Sequence, residues 1–205
     1  MRSDGPLNSQ ESFHPVTAER LGDLDRFSRQ HGKFRYCSCM RWRLPSSEFQ
    51  RCTKEQRASR LEQLVVSGIP VGVLVYVGGE PVGWCSVGPR ESFAGLERSR
   101  TLSRIDDTAV WSVTCFFVDA QQRRRGLQSR LLDAAIGYAC AQGAGVIEAY
   151  PVDPCSRSYR FMGFPGLFER AGFVDVTPPG RARNVMRLVL GASEQAHRAE
   201  RQKID

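Results

Sequence analysis

The stretch from Val110 to Ala139 constrains this chain more than any other. An apolar run from Val110 to Val118 predicts a buried strand. A polar turn, Asp119-Ala120-Gln121-Gln122, follows it, and then Arg123-Arg124-Arg125-Gly126. Beyond Gly126 the apolar spacing becomes helical, with Leu127, Leu131, Leu132, Ala135, Ile136 and Ala139 on one face. The reading is strand, loop, helix, with one glycine and three arginines at the helix start. A helix start carries unpartnered amide N–H groups and a partial positive charge, which together favour phosphates. Arginine adds charge and a forked donor set. An anionic ligand at this junction is the first expectation.

Composition sets the frame for it. The chain has 205 residues, 41% of them hydrophobic and 25% charged, as in an ordinary globular protein. That length suits one domain with tails. No apolar run reaches the roughly 18 residues that span a bilayer, so no membrane segment is expected. Residues 1–14 have no apolar stretch of the secretory type. A cytoplasmic location follows as the expectation. The net charge of +7 comes from 29 Lys and Arg against 22 Asp and Glu, and nearly all the excess is Arg. An arginine surplus suits a phosphate-bearing cofactor or a nucleic acid, and it also follows from codon bias alone. Seven cysteines are scattered without paired spacing, which reads as free thiols. Cys37, Cys39, Cys52 and His31 have ligand types that suit zinc, but the paired spacings of a zinc site are missing, so no metal is expected.

In chain order, residues 1–14 are polar and aperiodic and read as a disordered tail. Val16, Leu21, Leu24 and Phe27 predict a helix from about Thr17 to Gln30, ended by Gly32. The segment Phe34–Pro45 is dense in aromatics, Cys and Arg and reads either as a core-lining connector or as a pocket wall, with Trp42 as the best wall residue. Thr53 and Gln56 form a capping box for a helix to about Val66. Gly72–Val77 and Pro81–Val87 are strands joined at Gly78-Gly79. Residues 90–108 make a long connection. After the opening strand and its helix, Val146–Tyr150 is a strand parallel to the first. A short helix spans Gly166–Ala171, and strands Phe173–Val176 and Asn184–Leu190 close the domain. Residues 191–205 form a charged tail. The expected fold class is α/β, a single domain over residues 15–190, with a mixed central sheet flanked by helices on both faces.

Two motifs in this layout resemble the GCN5-related N-acetyltransferase (GNAT) superfamily. One is Arg123-Arg124-Arg125-Gly126-Leu127-Gln128, similar to the family's Arg/Gln-x-x-Gly-x-Gly/Ala at a helix start. The other is Phe168-Glu169-Arg170-Ala171-Gly172-Phe173, similar to its aromatic-x-x-x-Gly-Phe. The resemblance implies acetyl-CoA as co-substrate, with pyrophosphate held by Arg123, Arg124, Arg125, Gly126, Leu127, Gln128 and Ser129. It implies that Phe116, Phe117 and Val118 hold the pantetheine arm and polarise the thioester from a bulged strand. Two positions depart from the family pattern. Gln128 stands where Gly or Ala is usual, and its side chain has to turn away from the pyrophosphate. Phe168 stands where a tyrosine often serves as general acid, so another group or water has to do so. Tyr159, Cys155 and Tyr150 are the nearby alternatives, with Tyr159 taken forward.

Amine acetylation also needs a neutral amine, and a carboxylate is the usual base. Glu148, in the strand after the binding helix, is the choice, because burial would raise its pKa toward neutral. Its alternative is an ion pair with an arginine, and Asp107, Glu91 and Glu97 compete with it. The acceptor is expected to be a small-molecule or protein amine. The chain is expected to be a monomer or homodimer and not to bind nucleic acid, since it lacks interleaved exposed aromatics. The other class of function is a non-catalytic acyl-CoA-binding module.

Overall fold

The computed structural model describes residues 11–191. Strand β1 is Glu11–Pro15. A 3-10 turn at Ala18–Arg20 leads into α1, Leu21–Gln30, followed by α2, Gly32–Cys37, α3, Ser46–Arg51, and α4, Lys54–Val66. Strands β2, Val73–Val77, and β3, Glu80–Pro89, come next, then the short α5, Ala94–Glu97. β4 is Trp111–Val118, α6 is Leu127–Ala141 and β5 is Val146–Ala149. α7, Pro165–Arg170, and the strands β6, Val174–Asp175, and β7, Met186–Val189, complete the described residues. The seven strands form one sheet in the order β1-β2-β3-β4-β5-β7-β6. Among the described residues only β4 and β5 pair in parallel, as the α6 crossover between them requires.

The sheet is covered on both faces. Val73, Val75, Cys85, Val87, Val113 and Phe116 pack with α6, whose six periodic apolar residues are all buried. Leu74, Tyr76 and Trp84 face the opposite way, against α1, α2 and α4. β2 is therefore apolar on both sides, which suits a strand between two helical layers. The capping box of α4 is formed: the Gln56 amide donates to Thr53 Oγ1 at 3.2 Å, and the Thr53 amide donates to Gln56 Oε1 at 2.9 Å. The hairpin glycines take φ of 60° and 83°, the left-handed backbone of a tight β turn.

Several expectations are corrected. Residues 11–14, assigned to a disordered tail, belong to β1, which pairs antiparallel with β2 from Glu11↔Val77 to Pro15↔Val73. Residues 1–10 and the expected tail from 192 lie outside the described residues. Gly32 does not end a helix. His31 caps α1, and Gly32 opens α2. The unassigned Phe34–Pro45 segment is the end of α2 plus a turn, with left-handed Ser38 and Cys39 at φ of 44° and 48°. Strand β3 runs on through Gly88 and Pro89.

A third, smaller core joins the connection after β3 to the Trp42 turn. Trp42, Phe93, Leu96, Leu102, Tyr150, Met162 and Val185 pack together there. The Gly95 amide donates to the Trp42 carbonyl at 2.8 Å. A Cβ on Gly95 would lie 2.2 Å from the Leu44 carbonyl oxygen and 2.9 Å from that of Trp42. Gly95→Ala should therefore lower the urea midpoint by the equivalent of about 1–3 kcal/mol, the usual cost of overpacking. Helix propensity alone predicts the opposite sign.

Candidate active site

β4 is paired with β3 along its length to Val118↔Gly83. Its pairing with β5 stops at Val113↔Ala149. Among the described residues, no strand pairs with the β5-side edge of β4 from Thr114 to Val118. Across β3 the register shifts between Ser86↔Cys115 and Val87↔Val113, so Thr114 is an extra residue and β4 bulges at the point where it leaves β5.

The loop after β4 turns back over this opening. Asp119 Oδ1 accepts from the Gln121 amide at 2.7 Å, and Arg123 Nε donates to the Val118 carbonyl at 3.1 Å. Arg124 and Gly126 both take left-handed backbone, with φ of 63° and 72°. That double turn brings the chain into α6 with Gly126 as N-cap. The Ser129 and Arg130 amides donate to the Gly126 carbonyl at 3.0 and 3.3 Å, which leaves the Leu127 and Gln128 amides as the first-turn donors without an intrahelical acceptor. A Cβ on Gly126 would meet only the Arg130 guanidinium, at 3.2 Å, so no backbone crowds that side.

Three cavities run through this region. One, of about 540 Å³, borders Arg124, Gly126, Leu127 and Ser129 at the α6 start. The next, of about 820 Å³, is lined by Cys115–Val118 on one side and by α2 and Phe49 on the other. Val118, Arg123, Gln128 and Phe164 border both, so the two form one cleft. A third cavity of about 520 Å³, around Trp42 and Tyr159, meets the second at Arg41.

The match to known proteins follows this geometry. The acetyltransferase (GNAT) family model covers residues 36–164. The chain belongs to the GNAT family. No curated protein matches the sequence. Among solved structures, yncA from Salmonella typhimurium, a putative acetyltransferase with its cofactor acetyl-CoA, aligns with a TM-score of 0.54 at 18% identity, covering 90% of this chain and 96% of that one. The paiA N-acetyltransferase from Thermoplasma acidophilum, in complex with coenzyme A, aligns with a TM-score of 0.51 at 11% identity, covering 88% and 99%. The aminoglycoside acetyltransferase AAC(6')-Ib, in complex with coenzyme A, gives 0.54 at 16% identity, covering 93% and 99%. At these identities the likeness is one of fold.

The GNAT motif residues gather around the cleft. Phe116, Phe117, Val118, Arg123, Arg124, Gly126, Leu127, Gln128 and Ser129 all border one or both of its cavities. Arg125 does not, and it reaches Gln122 Oε1 at 3.4 Å instead. Phe168, in the position the family often fills with tyrosine, is fully buried between Phe116 and Phe173.

Glu148 and Tyr159 border neither cavity of the cleft. Glu148 is 2% exposed, and both its oxygens are occupied. Oε1 accepts from Arg90 Nη1 at 2.6 Å and from the Tyr150 hydroxyl at 2.7 Å, while Oε2 accepts from Arg187 Nε at 2.8 Å. The ion pair weighed as its alternative is what the structure contains. Tyr150 is fully buried in the same network and also meets Ser112 Oγ at 2.7 Å. Tyr159 lines the third cavity, its ring 5.6 Å from Trp42 and its hydroxyl accepting from Arg41 Nη2 at 3.2 Å. Asp106 and Glu97 are tied to arginines at the rim of the network.

The large cavity has features the motifs did not mark. Tyr36, Cys37, Cys39, Arg160 and Phe161 line it, and among the described residues no carboxylate does. The aromatic, cysteine and arginine density of the Phe34–Pro45 segment was the only trace of this in the sequence. Both readings of that segment hold: Phe34 and Met40 enter the core, while Cys37 and Arg41 face the cavity. Burial pushes the Cys37 thiol up to about 12, and Cys39 well above its ordinary value, so neither supplies a thiolate near neutrality. Among the described residues no cluster of three or more His, Cys, Asp or Glu could hold a metal ion.

Two outcomes follow from the ionic network. Glu148→Gln leaves Arg90, 1% exposed, without its buried counter-charge. It should destabilise the fold by about 3–5 kcal/mol in urea unfolding. Unchanged stability, with a rate loss that recovers at high pH, would be the signature of a base instead. Hydrogen bonds from Arg187 and then from Thr108 hold the Asp106 carboxyl well below the usual range. For Glu97, burial acts upward, but the bonds from Arg104 and Arg90 outweigh it and lower the pKa. Both shifts stabilise the fold above the ordinary carboxylate range, and that stability is lost as pH falls below about 4. Melting temperature followed from pH 6 to 3 should fall more steeply for the wild type than for Asp106→Asn.

Proposed function

We propose that the protein is an N-acetyltransferase that moves the acetyl group of acetyl-CoA to a primary amine. The observation that carries this reading is the parting of β4 from β5 beside the start of α6. It leaves an open strand edge at one part of the cleft and helix-start amides among arginines at the other, in a chain of an acetyltransferase family. Acetyl-CoA supplies the thioester.

The chain's own groups have separate tasks in this reading. The amides of Leu127 and Gln128 bind pyrophosphate, Ser129 borders the same cavity with its amide on the Gly126 carbonyl, and Gly126 keeps the approach open. Arg123 and Arg124 add charge. The edge from Phe116 to Val118 holds the extended arm through main-chain hydrogen bonds, as an added strand would be held. An N–H of this edge polarises the thioester carbonyl, a donor fixed before the reaction begins. In the transfer a C–N bond forms to the amine and the C–S bond breaks. Coenzyme A leaves as its thiol, and one proton passes to solvent.

Glu148 serves in this reading as a positioning residue, since both its oxygens are engaged by cations and a phenol. Tyr159 acts on the acceptor side. The second reading, a coenzyme A-binding module without turnover, is favoured by Phe168, which places no phenol at the family's usual acid position. Free-thiol release from acetyl-CoA over an amine panel separates the two. Release with at least one amine is expected, whereas tight coenzyme A binding with no release for any amine would establish the second reading.

The cofactor assignment has its own test. Arg124 sits in backbone that glycine adopts without strain, so Arg124→Gly should fold at least as stably as the wild type. Its dissociation constant for coenzyme A should rise about tenfold, the loss of one charge-assisted contact. Unchanged affinity would remove Arg124 from the cofactor site.

A further inference from the structure

The cavity beyond Arg41 is cationic throughout. Among the described residues its charged lining is Arg41, Arg98 and Arg183, with no carboxylate. Hydroxyls supply most of the remaining polarity, from Ser99, Thr101, Ser156 and Tyr159 among others. Elsewhere Arg90, Arg104, Arg130 and Arg187 each hold a carboxylate, and the buried Arg43 and Arg57 are bonded to main-chain carbonyls. Among the described residues no carboxylate pairs with Arg41, Arg98 or Arg183. Arg41 lies 5.3 Å over the Trp42 ring and donates to the Tyr159 hydroxyl. Arg183 lies 5.0 Å over the opposite partner, the Tyr159 ring, with contacts of 3.5 Å to the Tyr150 carbonyl and 3.3 Å to the Met162 sulfur.

Two donors in side chains that line the cavity, Arg183 Nε and the indole N–H of Trp42, have no acceptor among the described residues, and both atoms are themselves shielded from solvent. Leaving such donors unpaired is costly, and costlier when the donor is charged. Burial also lowers the Arg183 pKa, with the Tyr159 hydroxyl opposing it, as expected of a cation that lacks its counter-charge. A compact oxyanion is the group that satisfies guanidinium forks and hydroxyl donors together.

We infer that this cavity binds the carboxylate or phosphate of a small amine acceptor, so that the substrate class is an anionic amine. The inference rests on the N-acetyltransferase reading, because it assigns the cavity to the acceptor of that reaction. Neutral and polycationic amines are disfavoured, since three guanidiniums repel added positive charge. Three cations also outnumber one carboxylate. The site therefore stays positive when filled and favours loss of the ammonium proton, with no carboxylate needed as base.

The test uses matched amines with acetyl-CoA and the full chain: ethanolamine, phosphoethanolamine, β-alanine and putrescine. At least one anionic amine should exceed ethanolamine in kcat/KM by about tenfold, and the better of the two identifies phosphate or carboxylate as the group bound. Arg98→Ala, at an exposed position, should raise KM for that amine about tenfold and leave coenzyme A affinity unmoved, and Arg183→Met should do the same. Equal or faster transfer to ethanolamine or putrescine, or to a peptide amine over all of these, overturns the inference while leaving the acetyltransferase reading intact. So does loss of coenzyme A binding in Arg183→Met, which would assign the cavity to the cofactor. If no amine releases thiol, the acetyltransferase reading fails. Calorimetry of phosphoethanolamine and β-alanine with the coenzyme A-loaded protein then decides the subsite: binding that Arg98→Ala weakens supports an anion site, and no binding to either overturns it.

Discussion

The open side of the sheet depends on one buried guanidinium. Arg90, at the end of β3, donates to Glu97 of α5, to Glu148 of β5, to Tyr150 just beyond β5 and to the Leu102 carbonyl. Arg187 of β7 completes the ring by bonding Glu148 and Asp106. The junction of β4 and β5 is thereby fixed at the last pairs before the strands part. An ion pair so deeply buried is poor evidence of net stability, because desolvation offsets much of its attraction. Its geometric effect is firmer. It ties the long 90–108 connection across the strand ends, and through Leu102 and Phe93 it seats the third core under Trp42.

Each feature of the site follows from where the strands are held and where they are released. Beyond Val113 the β5-side edge of β4 has no strand partner among the described residues, and the bulge at Thr114 falls where the two strands part. The loop to α6 closes one end with Arg123 on the Val118 carbonyl. The turn after α2 closes the other with Arg41. The acid side chains are drawn into the strut and the rim, so the cavities themselves carry positive charge without a lining carboxylate. This segregation makes an oxyanion-bearing acceptor a better fit than a cationic one.

Much of this was legible in the chain where local rules agree. The change of apolar period at Gly126, the capping box at Thr53 and the Gly78-Gly79 turn each correspond to the element expected. β1 was not legible, because five residues with polar Glu11, Ser12 and His14 and a terminal proline show little alternation. They become a strand only by pairing with the β2 edge. For Glu148 the sequence left a base and an arginine ion pair both open. Its partners Arg90 and Arg187 lie 58 and 39 residues away in the chain, and no spacing rule connects them. Arg98 and Arg183, single arginines in connecting segments, carried no signal at all.

By itself the sequence determined the parts whose causes are local: the strand–loop–helix junction, the αL-tolerant glycine at its turn, the two-faced apolar strands and the family motifs. Helix starts and buried strands are specified by residues within a few positions of one another, so they can be read along the chain. The tertiary structure alone decided which carboxylate is neutralised, where β4 and β5 separate, and that three distant arginines share one cavity without a counter-charge. These depend on electrostatics and packing between segments brought together only by the fold, and charges separated along the chain interact according to their distance in space.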